Sequence, residues 1–211
     1  MTKDAYFPAT GMPDAEWWSA LWPNPEAVLR KVGITAGQSA IDLCCGDGLF
    51  TVPLCALVGE LGQVYALDLD SQLLAAAKDR MEKQGPAFAG KTCTWIEADA
   101  CHFDEALDGP VDVVLMANTF HGVPDKAALG ESVRRALKPD GRFVVINWHA
   151  RPRQQTTVLG QPRGPKTEMR LSPDQVGQIL SATGFKAAQI VDLPPWHYGA
   201  MFRVAKATPE A

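Results

Sequence analysis

Hydrophobic and polar positions alternate between two periods along this chain. "SAIDLCC" (39–45) is a near-continuous apolar run of strand length, and "GLFTVPLCALVG" (48–59) reads as a helix that follows a glycine turn. Pro53 restricts that helix, because proline is tolerated only in a first turn. "GQVYALDLD" (62–70) predicts a second strand, and "SQLLAAAKDRMEKQG" (71–85) a helix with apolar residues three and four apart and a glycine stop. "CTWIEADA" (93–100) and "VDVVLMAN" (111–118) predict two more strands, the latter apolar on both faces as central parallel strands are.

A helix over "PDKAALGESVRRALKPDG" is expected to end at Pro139 and Gly141, with a fifth strand in "GRFVVINWHA" (141–150). "SPDQVGQILSATGF" (172–185) predicts a further helix. "KAAQIVDLPPW" and "HYGAMFRVAK" predict two closing strands joined by a short turn, too close for a helix between them and therefore antiparallel. This alternation implies an α/β fold: a Rossmann-like, doubly wound seven-stranded sheet, mostly parallel with an antiparallel last strand, and helices on both faces. The expected organisation is one domain over 1–211: an N-terminal cap (1–37), a ligand-binding core (38–150), an inserted loop (151–170), and a C-terminal helix and β-hairpin (171–211).

Composition narrows the class. The 211 residues are 46% hydrophobic and 21% charged, enough for one well-filled core. The formal net charge of −4 lacks the basic surplus of a nucleic-acid binder, so no nucleic-acid partner is expected. The first residues, "MTKDAYFPATGMPDAEWW", contain no apolar core of a signal peptide, and no apolar run approaches the roughly 20 residues of a membrane span. Five cysteines, two of them adjacent (Cys44, Cys45), suit neither a disulfide framework nor a spaced zinc site. Reduced thiols in a cytoplasmic protein are expected, with no bound metal.

Candidate chemistry gathers where the first strand ends. Gly46 and Gly48 form a turn there, and Asp68 ends the next strand, where a carboxylate can accept from two ribose hydroxyls. The G-x-G-x-x-G fingerprint of dinucleotide sites is missing: Cys44 and Thr51 stand where glycines would be. Asp42 and Asp47 flank the turn, which disfavours a pyrophosphate and favours a cationic ligand.

With "IDLCCGDG", "ALDLDSQLL", "EADA" and "VDVVLMANTFHGVPD" in order, the chain resembles the class I S-adenosylmethionine-dependent methyltransferases. Within them it is most similar to the small-molecule branch of the ubiquinone/menaquinone-biosynthesis type. The likeness covers residues 38 to 148 well and the rest by topology. It implies S-adenosylmethionine as cofactor, S-adenosylhomocysteine as product, and methyl transfer to a small-molecule acceptor by in-line displacement. Carried onto this sequence, it makes Asp42 the acid of the first motif and puts Cys44 in place of its first glycine, beside Gly46 and Gly48. Asp68 would hold the ribose hydroxyls and Leu69 would pack on adenine. Asp99 would accept from the adenine amino group with the Ala100 amide beside it, and Met116 and Ala117 would lie along the cofactor.

The topology puts all four histidines, His102, His121, His149 and His197, at strand ends on the rim where a substrate would bind. His121 and His149 are the leading candidates for a general base, ahead of His197 and Tyr198; polar loop-end residues bonded to backbone are the alternative for each. The inserted loop holds Arg151, Arg153, Arg163, Lys166 and Arg170 against Glu168, a solvated charge run or a contact for an anionic substrate. Trp17, Trp18, Trp22 and Trp196 either line an aromatic pocket or, for the first three, staple the cap to the core. The rival functions are a non-catalytic subunit that binds the same cofactor and regulates a partner, and an aminopropyl-transferase-like enzyme on the same fold.

Overall fold

A computed structural model describes residues 12–85, 88 and 93–205. The signal-peptide reading over residues 1–11, and Lys206 of the last expected strand, lie outside the described residues.

Seven strands form one sheet: β1 (Ser39–Leu43), β2 (Gln63–Asp68), β3 (Cys93–Glu97), β4 (Val111–Ala117), β5 (Leu137–Trp148), β6 (Phe185–Leu193) and β7 (His197–Val204). Their spatial order is β3-β2-β1-β4-β5-β7-β6. The pairs among β1 to β5 are parallel, and β7 runs antiparallel to both β5 and β6. The expected sheet is therefore present, antiparallel strand included.

The helices are α1 (Ala15–Leu21), α2 (Pro25–Lys31), α3 (Thr51–Val58), α4 (Ser71–Glu82), α5 (Lys126–Ala136) and α6 (Pro173–Ser181). Local chemistry starts them. Asn24, Asp70 and Asp125 cap α2, α4 and α5 with side-chain acceptors, and Ser172 with Gln175 forms a reciprocal capping box on α6. Pro53 sits in the first turn of α3, where its missing N–H costs nothing.

Side chains alternate across the sheet into two cores. On β4, Val113 and Leu115 join the layer under α1, α2 and α3, while Val114 and Met116 join the layer under α5 and α6. Helix α5 stops earlier than the expected Pro139–Gly141. Leu137 is already extended and pairs with Val111, and the register then shifts before Arg142 pairs with Val113. Pro139, lacking an N–H, falls within this bulge rather than at a helix end.

Strand order reverses between β1 and β4, which opens a crevice at their carboxyl ends. The inserted loop folds back over that crevice. It contains two short 3₁₀ turns (Arg153–Gln155 and Thr167–Met169) and a two-residue ladder pairing Thr157–Val158 with Gln161–Pro162. Leu159 and Gly160, both at positive φ, make its tight reversal.

Candidate functional site

The turn after β1 is built from left-handed residues. Gly46 and Gly48 lie at φ +56° and +80°, and Cys44 at φ +61° takes a conformation that glycine adopts more easily. Cys44 thus takes, with a side chain, the same left-handed conformation as the two glycines of the turn. Gly48 is required for a second reason: a Cβ there would lie 2.9 Å from the Ala77 Cβ of α4. The Cys45 N–H donates to the Leu67 carbonyl at 2.8 Å, so the turn continues the β1–β2 ladder.

Two carboxylates anchor this turn. The Thr51 hydroxyl donates to Asp42 Oδ2 at 2.6 Å. Asp68 accepts the Gly46 N–H on Oδ2 at 2.9 Å and the Asp70 N–H on Oδ1 at 3.0 Å. Both are buried, and neither has an ion-pair partner among the described residues. Burial, reinforced by Asp68 and Asp47, pushes the Asp42 carboxyl up to about 7 against the Thr51 bond. Burial also raises Asp68, opposed by its backbone N–H bonds. Asp47 is paired with Arg80 of α4.

A cavity of about 750 Å³ opens beside the turn, bounded by α1, the residues after β4 and the inserted loop. Among the expected site residues, Asp42, Cys44, Gly46, Ala117 and His121 line it. Asp68, Leu69, Asp99 and Ala100 stand outside it, at the carboxyl ends of β2 and β3 along the same sheet edge. Asp99 is exposed, with Oδ1 accepting the Cys101 N–H at 2.8 Å, and Ala100 is buried. The Met116 side chain is fully buried in the core under α5, so only its backbone is available to a ligand.

The histidines separate. His121 Nδ1 lies 3.2 Å from Asn147 Oδ1, an atom that also accepts the Trp148 N–H at 3.1 Å. A backbone N–H is an unambiguous donor, so that amide atom is oxygen and the neutral His121 carries its proton on Nδ1. Nε2 then keeps its lone pair. Burial lowers the His121 pKa; the Asn147 bond opposes this, and Lys126 and Arg170 add to it.

His149 is outside the cavity, its Nε2 2.8 Å from Asp192 Oδ1, because the end of β5 turns it toward β6. His197 is no rim residue either. It is fully buried, its ring 4.5 Å from that of Trp22 and 4.2 Å from that of Trp148, with Nε2 2.8 Å from Asn118 Oδ1. Burial lowers its pKa well below the usual histidine value. His102 is exposed beside a 3₁₀ turn, and Tyr198 is buried, its hydroxyl donating to the Leu171 carbonyl.

Trp17 and Trp18 line the cavity, whereas Trp22 packs on Phe50 and Trp196 donates to the Thr157 carbonyl. The two alternatives for the cap tryptophans are thus both realised. Sequence reasoning missed Trp148, Asn118, Thr119 and Phe50 as lining residues. Asn118 carried a signal, since asparagine at a strand end tolerates the positive φ it adopts here. The thiols carry no visible chemistry: burial raises Cys44, Cys45 and Cys101, the last to about 11, and keeps them protonated.

The donor set fits a nucleoside with a cationic tail. Buried Asp42 and Asp68 lack a counter-cation among the described residues, and the turn leaves room only for backbone. A pyrophosphate does not fit, since Asp42 lies under the first turn of α3 where phosphate oxygens would sit.

Comparison with known proteins agrees. Residues 40–141 match the family model of a methyltransferase domain. A 2-phytyl-1,4-naphtoquinone methyltransferase of Trichormus variabilis is 32% identical over 136 residues, 64% of this chain and 58% of that protein. The ubiquinone/menaquinone biosynthesis C-methyltransferase UbiE of Haemophilus ducreyi is 32% identical over 116 residues, 55% of this chain and 43% of that protein. The matches thus span about half the length of these curated relatives. A solved SAM-dependent methyltransferase from Aquifex aeolicus superposes with a TM-score of 0.75 at 25% identity, covering 91% of this chain and 94% of its own. A glycopeptide N-methyltransferase, MtfA, solved with S-adenosylmethionine, shares the fold with a TM-score of 0.65 at 22% identity, covering 85% and 86%. The expected resemblance therefore holds in sequence and in fold.

Proposed function

We propose that this relative of the S-adenosylmethionine-dependent methyltransferases is itself such an enzyme, moving a methyl group to a small-molecule acceptor. The observation that carries the reading is the pair of buried carboxyl groups, Asp42 and Asp68, at the switch point of the sheet, neither with an ion-pair partner among the described residues. When bound, S-adenosylmethionine supplies an activated methyl group on a sulfonium.

The chain's own residues do the rest. Each Asp68 oxygen already accepts one N–H and keeps a lone pair for a ribose hydroxyl. Leu69, Asp99 and Ala100 receive the adenine along the sheet edge. The turn at Cys44–Gly46, with Asp42 beneath it and the Ala117 and Met116 backbone opposite, receives the cationic amino-acid end. Trp17, Trp18 and Trp148 exclude water and face the acceptor with apolar surface. His121 Nε2 is the candidate proton acceptor where the nucleophile must lose a proton.

A reducing, cytoplasmic setting belongs to the same reading and is supported by five free cysteines. Among the described residues no helix is long and apolar enough to cross a membrane.

Calorimetry with S-adenosylhomocysteine, followed by transfer of labelled methyl from S-adenosylmethionine to a metabolite panel, tests the proposal. Binding with labelled product supports it. Binding without turnover across the panel favours a regulatory subunit, and absence of binding removes the proposal.

A further inference from the structure

The inserted loop makes one wall of the cavity cationic. Asp42 and Asp47 stand at the turn, while Arg153, Arg163 and Lys166 of the inserted loop line the far side with one acid, Glu168, among them. We propose that the far end selects a planar acceptor carrying a negative group, an arene carboxylate or equivalent oxyanion, with its ring on the tryptophan wall and its charge at Arg163, Arg153 and Lys166. This rests on the methyl-transfer reading for which end the acceptor occupies; the preference for an anion rests on the loop alone.

The loop is braced from within, although the side chains of Arg153 and Lys166 are exposed. Arg170 is buried against the Trp148 ring at 5.1 Å and donates to Thr156 Oγ1 at 2.9 Å and to the carbonyls of Arg163 at 3.0 Å and Pro165 at 3.2 Å. One guanidinium thereby knits three points of the loop together. Gly164 lies flat on the same indole: a Cβ there would come within 2.7 Å of Trp148 ring carbons. The backbone carrying Arg163 to Lys166 is thus fixed over the aromatic wall.

The three cations are left unneutralised. None of Arg153, Arg163 and Lys166 forms an ion pair among the described residues. The Arg153 Nε donates to the Gly164 carbonyl at 3.0 Å, which holds its guanidinium beside the loop. The Arg163 guanidinium stacks on Trp17 at 5.1 Å, and its Nε is buried without an acceptor. Such a donor is costly to leave unmade, and a carboxylate is the acceptor that a planar guanidinium fork matches best. Trp17, Trp18 and Trp148 supply flat apolar surface beside it.

The loop cations also orient the reaction: they repel a cationic donor and attract an anionic acceptor, so the two enter in one sense. The competing role for these cations is to hold the carboxylate of the cofactor's amino-acid part, which is separable by experiment.

The test titrates the full chain with 2-naphthoate and with 2-naphthamide, its uncharged isostere, following tryptophan fluorescence with and without saturating S-adenosylhomocysteine. Naphthoate is expected to bind at least about tenfold tighter than the amide, with a margin that shrinks as salt is added. The double substitution Arg163→Gln and Lys166→Gln should abolish that margin while S-adenosylhomocysteine affinity stays unchanged, which also certifies an intact fold. Equal affinity of the two probes, no naphthoate binding up to its solubility limit, or a margin that survives the substitutions overturns the proposal. So does a parallel loss of S-adenosylhomocysteine affinity, which assigns the cations to the cofactor. Failure of the unaltered chain to bind S-adenosylhomocysteine would sink the methyl-transfer reading alone, since the probe comparison without it still reports the anion preference.

Discussion

The Gly46 N–H donates to Asp68 Oδ2 at 2.9 Å, so the end of β2 fastens the glycine turn that follows β1. One carboxylate therefore shapes the turn, and in the proposed complex it would also hold the sugar. Asp68→Ala loses both charged acceptors and should weaken S-adenosylmethionine binding by at least about 1.4 kcal/mol, or tenfold. Asp68→Asn, which keeps one acceptor oxygen, should fall between. Unchanged affinity of the alanine variant in calorimetry would remove Asp68 from the site.

Asp42 makes binding depend on pH. Below about 7 the free protein holds a proton on this carboxyl, and a cationic ligand favours the ionised form. Affinity should climb as pH rises toward 7, by at most about tenfold per unit for one proton, and level off above it. Without ligand the sign reverses for folding. The unfolded carboxyl ionises near 3.8 and the folded one near 7, so between them the native state binds more protons and stability falls as pH rises. Asp42→Asn should flatten both profiles. A pH dependence that persists in the variant, followed by calorimetry for binding and by urea unfolding for stability, would assign the effect elsewhere.

Two glycines share a backbone conformation and differ in surroundings. Gly37 and Gly48 both lie at φ +80°, but a Cβ on Gly37 meets nothing within 4 Å, whereas on Gly48 it meets Ala77 Cβ at 2.9 Å and Ala77 Cα at 3.1 Å. Gly37→Ala should cost about 1–2 kcal/mol, the left-handed penalty alone. Gly48→Ala should cost roughly 1–3 kcal/mol more, because α4 must move off the turn. Urea unfolding of both variants decides it, and equal losses would mean that α4 yields freely.

What the sequence revealed follows from the range of each interaction. β4 was legible because its two-faced apolar run is local, and Val113 and Met116 do enter opposite cores. The nearness of the Gly46–Gly48 turn to Asp68 was legible because the β1–α3–β2 unit constrains both ends; the bond between Gly46 and Asp68 was not. The placement of His149 outside the cavity was not legible because Asp192, the partner that holds it, lies 43 residues on. His197 was placed on the rim, yet Trp22 and Trp148 bury it from distant parts of the chain. The end of α5 depended on Val111 pairing with Leu137, a contact that no helix signal encodes. Trp148 was visible only as a strand residue; its place in the cavity wall depends on Gly164 lying against it.

The hydrogen bond from His121 to Asn147 fixes a tautomer that can be observed without any substrate. Asn147 Oδ1 accepts from the Trp148 N–H, so His121 must donate from Nδ1, and Nε2 is left as the basic nitrogen. Burial holds the pKa below the ordinary histidine value, so the ring should take up its second proton on the acid side of a free imidazole. Nitrogen-15 correlation spectra of the ring should show a proton on Nδ1, with the titration displaced to the acid side. Asn147→Ala removes the acceptor that favours the charged ring and should lower the pKa further while releasing the tautomer preference. A proton found on Nε2 at neutral pH would leave His121 with no lone pair there, and the role of proton acceptor would have to pass to another group.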